Sequence, residues 1–290
     1  MKKVLGAAVI MLFVLMGSAQ DVWAQGEKIV VSLDGTDIAY IVAGQGNPTL
    51  IFIHGWSCNK SYWKEQIKTF SNTHKVIAID LAGHGNSSQD RSDYTMSAFS
   101  QDVKAVIDQE SAGNVVLIGH SMSGEIIAEA ALLVPNKVIA LIGVDTLQNI
   151  ARPLTQKEMY GMLAPLQENF IEGAQSFVKE MFPENADPKL VEWVLLDMSS
   201  APKDIAISAI TNYLKSYRDG DVASLFEKTD VPVFAINARL WPTDVEENRK
   251  HMKSFNVFYV ENSGHFVMLE KPEEFNAALR NILQQLEMEN

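Results

Sequence analysis

The run Val115-Val116-Leu117-Ile118 is apolar throughout, then breaks into Gly119-His120-Ser121-Met122-Ser123-Gly124 and continues in small and apolar residues to Val134. A strand that ends in Gly-x-Ser and turns at once into a helix makes a sharp, strained reversal, with small residues where the helix backbone nearly meets the neighbouring strand. That turn thrusts Ser121 clear of the sheet and sets its hydroxyl at a helix N-terminus, where free N–H groups favour nearby negative charge. The chemistry implied is nucleophilic catalysis. A hydroxyl is a poor nucleophile until a base takes its proton, and the chain offers six histidines as candidates. Cys58, the only cysteine, has no thiol-activating neighbours in the sequence, and alone it cannot form an internal disulfide. No His-x-x-x-His or Cys-x-x-Cys spacing occurs, and Gly44-Gln45-Gly46 lacks the third glycine and following helix of a dinucleotide fingerprint, so no metal or cofactor is expected.

Such a serine needs a rigid scaffold, and the hydrophobic pattern supplies one. "KIVVSL" and "DIAYIVAG" flank Asp34-Gly35 as an opening hairpin. "TLIFIHG", "KVIAIDLAG", "NVVLIGHS" and "KVIALIGVD" are continuous apolar runs without alternation, as strands buried on both faces require. Helical stretches around Tyr62 to Phe70, Met96 to Glu110 and Met122 to Val134 separate them, which makes an α/β architecture with a mostly parallel central sheet flanked by helices. After Asp145 the rhythm stops. Residues 148–229 are helical in period, punctuated by Pro153, Pro165, Pro183, Pro188 and Pro202 as helix starts and breaks, and read as an inserted cap. The strand pattern resumes at "VPVFAIN" and "FNVFYVEN", and an amphipathic helix from Pro272 to about Leu286 closes the chain. The core therefore falls in two parts, 25–147 and 230–290.

The chain has 290 residues, 47% of them hydrophobic, enough for a substantial core. A net charge of −12 without any basic patch argues against nucleic-acid partners. Lys2 and Lys3, the apolar run from Val4 to Gly17 and the small pair Val22-x-Ala24 read as a secretory signal over residues 1–24, cleaved after Ala24. That predicts an exported, periplasmic or secreted protein with no stable membrane anchor.

Taken together, the motifs resemble the α/β-hydrolase superfamily from Glu27 to the C-terminus outside the cap. Gly119 to Gly124 is similar to its nucleophile elbow, except that Ser123 stands where a glycine is usual, which predicts a slightly tighter turn. "FIHGWS" resembles the His-Gly oxyanion loop and "DLAGHGNSS" the Asp-x-x-Gly-x-Gly-x-Ser loop. The resemblance gives His54, His84 and His120 loop-shaping and hydrogen-bonding roles, while His74 and His251 lie on polar segments. It places the catalytic base at His265, after the last strand, with Gly264 leaving the ring free to swing toward Ser121. The oxyanion donors it implies are the backbone N–H groups of Met122 and Trp56, the Trp56 side chain also walling the acyl pocket.

The triad acid departs from the pattern. Relatives carry Gly-Asp-x-Asp after the penultimate strand, but "AINARLWPTD" puts Arg239, Leu240 and Trp241 there. Asp145, where haloalkane dehalogenases and some other relatives keep their acid, and Asp244 remain the two candidates. Serine chemistry on this fold implies acyl transfer to water rather than haloalkane or epoxide hydrolysis. The cap offers Met159, Met162, Phe170, Phe177, Met181, Phe182, Trp193 and Met198, most of them expected in its own core and the rest as adaptable apolar wall. The expected substrate is a small to medium hydrophobic carboxylic ester or lactone. C–C bond hydrolysis or cofactor-free perhydrolysis on the same triad, and a non-catalytic binding protein left by loss of the usual acid, are the alternatives. Activity is expected to rise between about pH 6 and 8 as an imidazole base loses its proton.

Overall fold

The computed structural model describes residues 26–289, so the signal expected over residues 1–24 lies outside the described residues. Strands β1 (Lys28–Val31) and β2 (Asp37–Ala43) form the expected antiparallel hairpin, Val31 lying opposite Asp37. They extend a sheet of β3 (Thr49–Ile53), β4 (Val76–Ile79), β5 (Val115–His120), β6 (Val138–Val144), β7 (Val233–Ala238) and β8 (Phe255–Val260). The eight strands run in the order β1-β2-β4-β3-β5-β6-β7-β8, antiparallel only where β2 meets β1 and β4. Every residue of β3, β4, β5 and β7 is buried, which explains why those runs carry no polar alternation.

Helices cover both faces. α1 (Lys64–Phe70), α2 (Met96–Gln109) and α3 (Ser123–Leu133) follow β3, β4 and β5, and α2 packs on α3. Between β6 and β7 lies the helical insert: α4 (Gln156–Glu168), α5 (Phe170–Lys179), α6 (Pro188–Ser199), α7 (Lys203–Asp219) and α8 (Asp221–Glu227). Their starts are written locally. Thr155 and Glu158 form a capping box at α4, Asn169 caps α5, and Asp187 caps α6 with Pro188 in its first turn. Pro165 does not break a helix as expected; it sits inside α4, one turn before its end. The chain finishes with α9 (Val245–Asn248), α10 (Val267–Glu270) and α11 (Pro272–Glu289). Among the described residues no helix is long and apolar enough to cross a membrane.

Sheet register decides where the chemistry sits. His120 pairs with Val144, Val144 with Ile236, and Ile53 with Gly119, so Ser121, Asp145 and the loop after β3 all emerge at the C-terminal edge of adjacent strands. The loop after β4 is fixed by buried Asp80, whose carboxylate accepts the N–H groups of Lys60 (2.7 Å) and Asn86 (2.9 Å) and pairs with the Lys60 ammonium.

Candidate active site

Ser121 occupies the left-handed region at φ 54°, uncommon for a residue with a side chain. The strain is held by bonds on both sides: its N–H donates to Val144 O at 3.0 Å, and its carbonyl accepts from the Gly124 N–H at 2.9 Å. A Cβ at Gly119 would lie 2.5 Å from the carbonyl oxygen of Ser123, so only glycine admits the first turn of α3 this close to β5. Ser123 is fully buried and donates its hydroxyl to the His54 carbonyl at 2.5 Å. The departure from glycine thus ties the elbow to the loop after β3.

Asp145 and His265 meet. His265 Nδ1–H donates to Asp145 Oδ2 at 2.6 Å, with the two side chains 7% and 1% exposed, too little for water to compete for the bond. The other carboxylate oxygen accepts the Ala238 N–H at 2.8 Å, and the Asp145 N–H donates to Ile236 O at 3.0 Å. A carboxylate can only accept here, so the proton of this bond sits on Nδ1, and in the neutral imidazole Nε2 is the nitrogen with the free lone pair. Asp244 is elsewhere. It caps α9 by accepting the Glu247 N–H at 3.0 Å and receives the Asn149 amide at 3.2 Å. The residues standing where an acid is usual have other work: Arg239 pairs with Glu261 over the Tyr259 ring, and Trp241 stands edge-on to the His265 ring at 5.3 Å.

The His265 backbone is anchored from two directions. Its N–H donates to Met181 O of the insert at 2.8 Å, and its carbonyl accepts from His120 Nε2–H at 3.0 Å. A Cβ at Gly264 would lie 2.3 Å from that same Met181 oxygen. Glycine here admits the insert backbone, rather than freeing the ring to swing.

The remaining buried histidines shape loops. Burial pushes His54, His84 and His120 below the ordinary histidine range, most strongly His54 and His120. His54 accepts the Leu81 N–H on Nε2 at 3.1 Å and donates Nδ1–H to Gly55 O at 2.8 Å, holding the loop that carries Trp56. Burial raises Cys58 well above the ordinary thiol range, with the Asp197 charge adding to it, so no thiolate forms there. Among the described residues the backbone N–H groups of Trp56 and Met122 are donated to no other atom of the chain.

A cavity of about 540 Å³ brings Ser121, His265, Asp145, Trp56 and Met122 onto one surface. Of the insert residues singled out from the sequence, Met162, Phe177, Met181 and Met198 reach its wall, a larger share than expected; Met159 and Phe170 are buried outside it, Phe182 stacks on Phe266, and Trp193 packs on Tyr62. The sequence reading missed Ile210, Tyr213, Leu214 and Tyr217, which line the cavity from α7. Their three- and four-residue spacing marks one helical face, but spacing alone does not say what that face covers. Burial lifts the Tyr213 hydroxyl to about 12 and holds Tyr217 well above the ordinary tyrosine range, so both remain neutral. Among the described residues no three His, Cys, Asp or Glu side chains gather as a metal-holding group.

Residues 50–278 match the model of the alpha/beta hydrolase family. A Haemophilus influenzae protein that carries an inferred esterase/lipase name is 27% identical over 243 residues, 81% of this chain and 83% of the relative. The esterase of Exiguobacterium antarcticum has the same fold at TM-score 0.79 and 21% identity, covering 89% of this chain and 100% of that one. So does the bromoperoxidase of Bacillus anthracis, at TM-score 0.78 and 18% identity over 89% and 100%.

Proposed function

The chain belongs to the alpha/beta hydrolase family, and from that premise we propose that it is a serine hydrolase cleaving small to medium hydrophobic carboxylic esters or lactones through an acyl-enzyme. The observation that carries the reading is the 2.6 Å bond from His265 Nδ1–H to Asp145 in the cavity that also holds Ser121. With Nδ1–H committed to Asp145, the Nε2 lone pair takes the Ser121 proton as its oxygen attacks the carbonyl carbon. The electron pair of the C=O bond moves to oxygen, and the oxyanion is received by the Trp56 and Met122 N–H groups, each worth roughly 3 kcal/mol in such a role. The imidazolium then protonates the departing alkoxide, and water repeats the sequence in reverse on the acyl-enzyme. Met162, Phe177, Met181 and Met198 favour an uncharged, apolar acyl or alcohol group.

The reading of an inert pocket rested on the vacant acid position, and the contact of Asp145 with His265 supports the catalytic reading over it. Hydrolysis of p-nitrophenyl acetate and butyrate by the wild type, Ser121→Ala and His265→Ala tests the mechanism. Turnover surviving in a folded Ser121→Ala protein would defeat it. The insert acts as a cap over the site in this reading, and residues 1–24 act as a cleaved export signal; N-terminal sequencing of protein from the periplasm or medium should begin at Gln25.

A further inference from the structure

The segment Ser263-Gly264-His265-Phe266-Val267-Met268-Leu269-Glu270 carries one ionisable side chain besides the histidine, and the mechanism above makes no use of it. Glu270 ends α10 and turns its carboxylate back along the helix. Oε2 accepts the Gly264 N–H at 2.9 Å and Oε1 the Phe266 N–H at 3.1 Å. The amide between them, the His265 N–H, goes to Met181 O at 2.8 Å, and the His265 carbonyl accepts from His120. Every backbone donor from 264 to 266 is therefore held, and the two that flank the histidine end on a single carboxylate.

We infer that Glu270 is a positioning residue for His265: its carboxylate straddles the base, holds the turn that carries the imidazole into the cavity it shares with Ser121, and adds its charge to that of Asp145 when the imidazolium forms. Local satisfaction of two amides accounts for the bonds but not for the electrostatics. Burial holds the Glu270 carboxyl above the ordinary glutamate range, with the Asp145 charge adding to it and the bonds from Gly264 and Phe266 and the His265 charge pulling it down, so the carboxyl lies within electrostatic reach of the base. Among the described residues the titratable groups beside His265 are Asp145 at the end of β6, His120 at the end of β5, which burial keeps neutral, and Glu270 on α10, while Arg152 and Glu180 of the insert line the same cavity. Glutamine cannot reproduce the arrangement, because its amide would set an N–H₂ donor against a backbone donor. Aspartate keeps the charge but is one methylene too short to reach both amides.

The inference rests on the serine-hydrolase reading, and the test separates the two. The full chain and its Ser121→Ala, Glu270→Gln and Glu270→Asp variants are compared in p-nitrophenyl butyrate hydrolysis, in the pH dependence of labelling by a fluorophosphonate probe, and in thermal unfolding. Labelling and turnover that persist in Ser121→Ala would end the hydrolase reading itself. With that control dead, Glu270→Gln should lower kcat about 10- to 100-fold with KM within about threefold. Loss of a nearby negative charge disfavours the imidazolium, so its acid limb of labelling should move to lower pH by about half a unit. Glu270→Asp should be slowed with its limb in place, separating position from charge. Wild-type labelling rates in either folded variant overturn the inference, and so does a slowed Glu270→Gln whose limb has not moved. If only the aspartate variant folds, its rate alone decides.

Discussion

The C-terminal edge of the sheet and the helical insert face each other across one cavity, yet they contribute to it differently. From the sheet edge come residues held by several directional bonds: Ser121 by its backbone at φ 54°, and Asp145 with both carboxylate oxygens occupied. From the insert come mainly apolar wall residues, with Arg152, Glu180, Tyr213 and Tyr217 among them, and the backbone carbonyl of Met181. Strands buried on both faces resist displacement, and reacting atoms need placing to within tenths of an ångström. Packed helices joined to the core by a few polar contacts supply shape instead. Those contacts include Trp56 Nε1–H to Ala206 O at 2.7 Å, the Tyr62 hydroxyl to Asp197 at 2.8 Å and the Asn212 amide to Asp93 at 2.9 Å. In the proposed reaction, precision would belong to one region and selectivity to the other.

The contrast breaks most visibly at Asp145. Asp145→Asn should lower kcat roughly a thousand-fold or more, because the amide donates where a carboxylate accepted and selects the wrong imidazole tautomer. Asp244→Asn should stay within about twofold, since only a helix cap is altered. A folded Asp145→Asn protein working at the wild-type rate would take the chemistry away from the sheet edge.

Next in size is a seam between the regions. Ser216 on α7 has one hydroxyl proton but lies 2.6 Å from Glu125 on α3 and 2.7 Å from the Tyr213 carbonyl. Burial pushes Glu125 up to about 8, so at neutral pH its carboxyl can donate to Ser216 while Ser216 donates to Tyr213. Between the ordinary glutamate value and about 8 the folded chain holds a proton that the unfolded chain has released, and stability falls as pH rises. Glu125→Gln should remove that slope, leaving the variant more stable than wild type at pH 9 by on the order of 1–3 kcal/mol, with little difference at pH 5. Chemical denaturation at the two pH values measures it; parallel curves for the two proteins would refute the neutral-acid account.

Selectivity is sharpened by Phe177→Ala on the insert wall. Widening the cavity should raise the kcat/KM ratio of long to short p-nitrophenyl esters about tenfold while Ser121 still reacts with a fluorophosphonate at near wild-type rate. Unchanged chain-length preference would mean that the insert does not shape the substrate. The smallest expected effect is at the elbow, where Ser123→Ala loses the bond to the His54 carbonyl. It should cost about 1 kcal/mol of stability by urea unfolding, a cost a surface serine would not show.

Much of the fold was legible because doubly buried strands leave an unmistakable trace: "TLIFI", "VVLIGH" and "VFAINA" have no polar face to hide. Ser121 was readable for a related reason, since strand, glycine-bounded turn and small-residue helix follow one another without a gap. Asp145 could be named only as one of two candidates, because a carboxylate at a strand end looks the same whether it caps a backbone or faces an imidazole. Glu270 was invisible, because it falls between the last strand and the closing helix expected from Pro272, where no element was expected. Its bonds to Gly264 and Phe266 depend on how α10 folds back, and α10 is too short to show a period. The face of α7 toward the cavity was hidden too, since amphipathic spacing names a face without naming its neighbour.

By itself the sequence determined the α/β alternation, the place of the insert and the residue at the elbow, because these follow from local periodicity and from steric rules acting over a few neighbouring residues. Tertiary structure alone decided that Asp145 rather than Asp244 meets His265, and that the insert's Met181 anchors the histidine backbone. Those contacts join residues far apart in the chain, and sheet register and backbone approach, which select them, leave no mark in the order of the side chains.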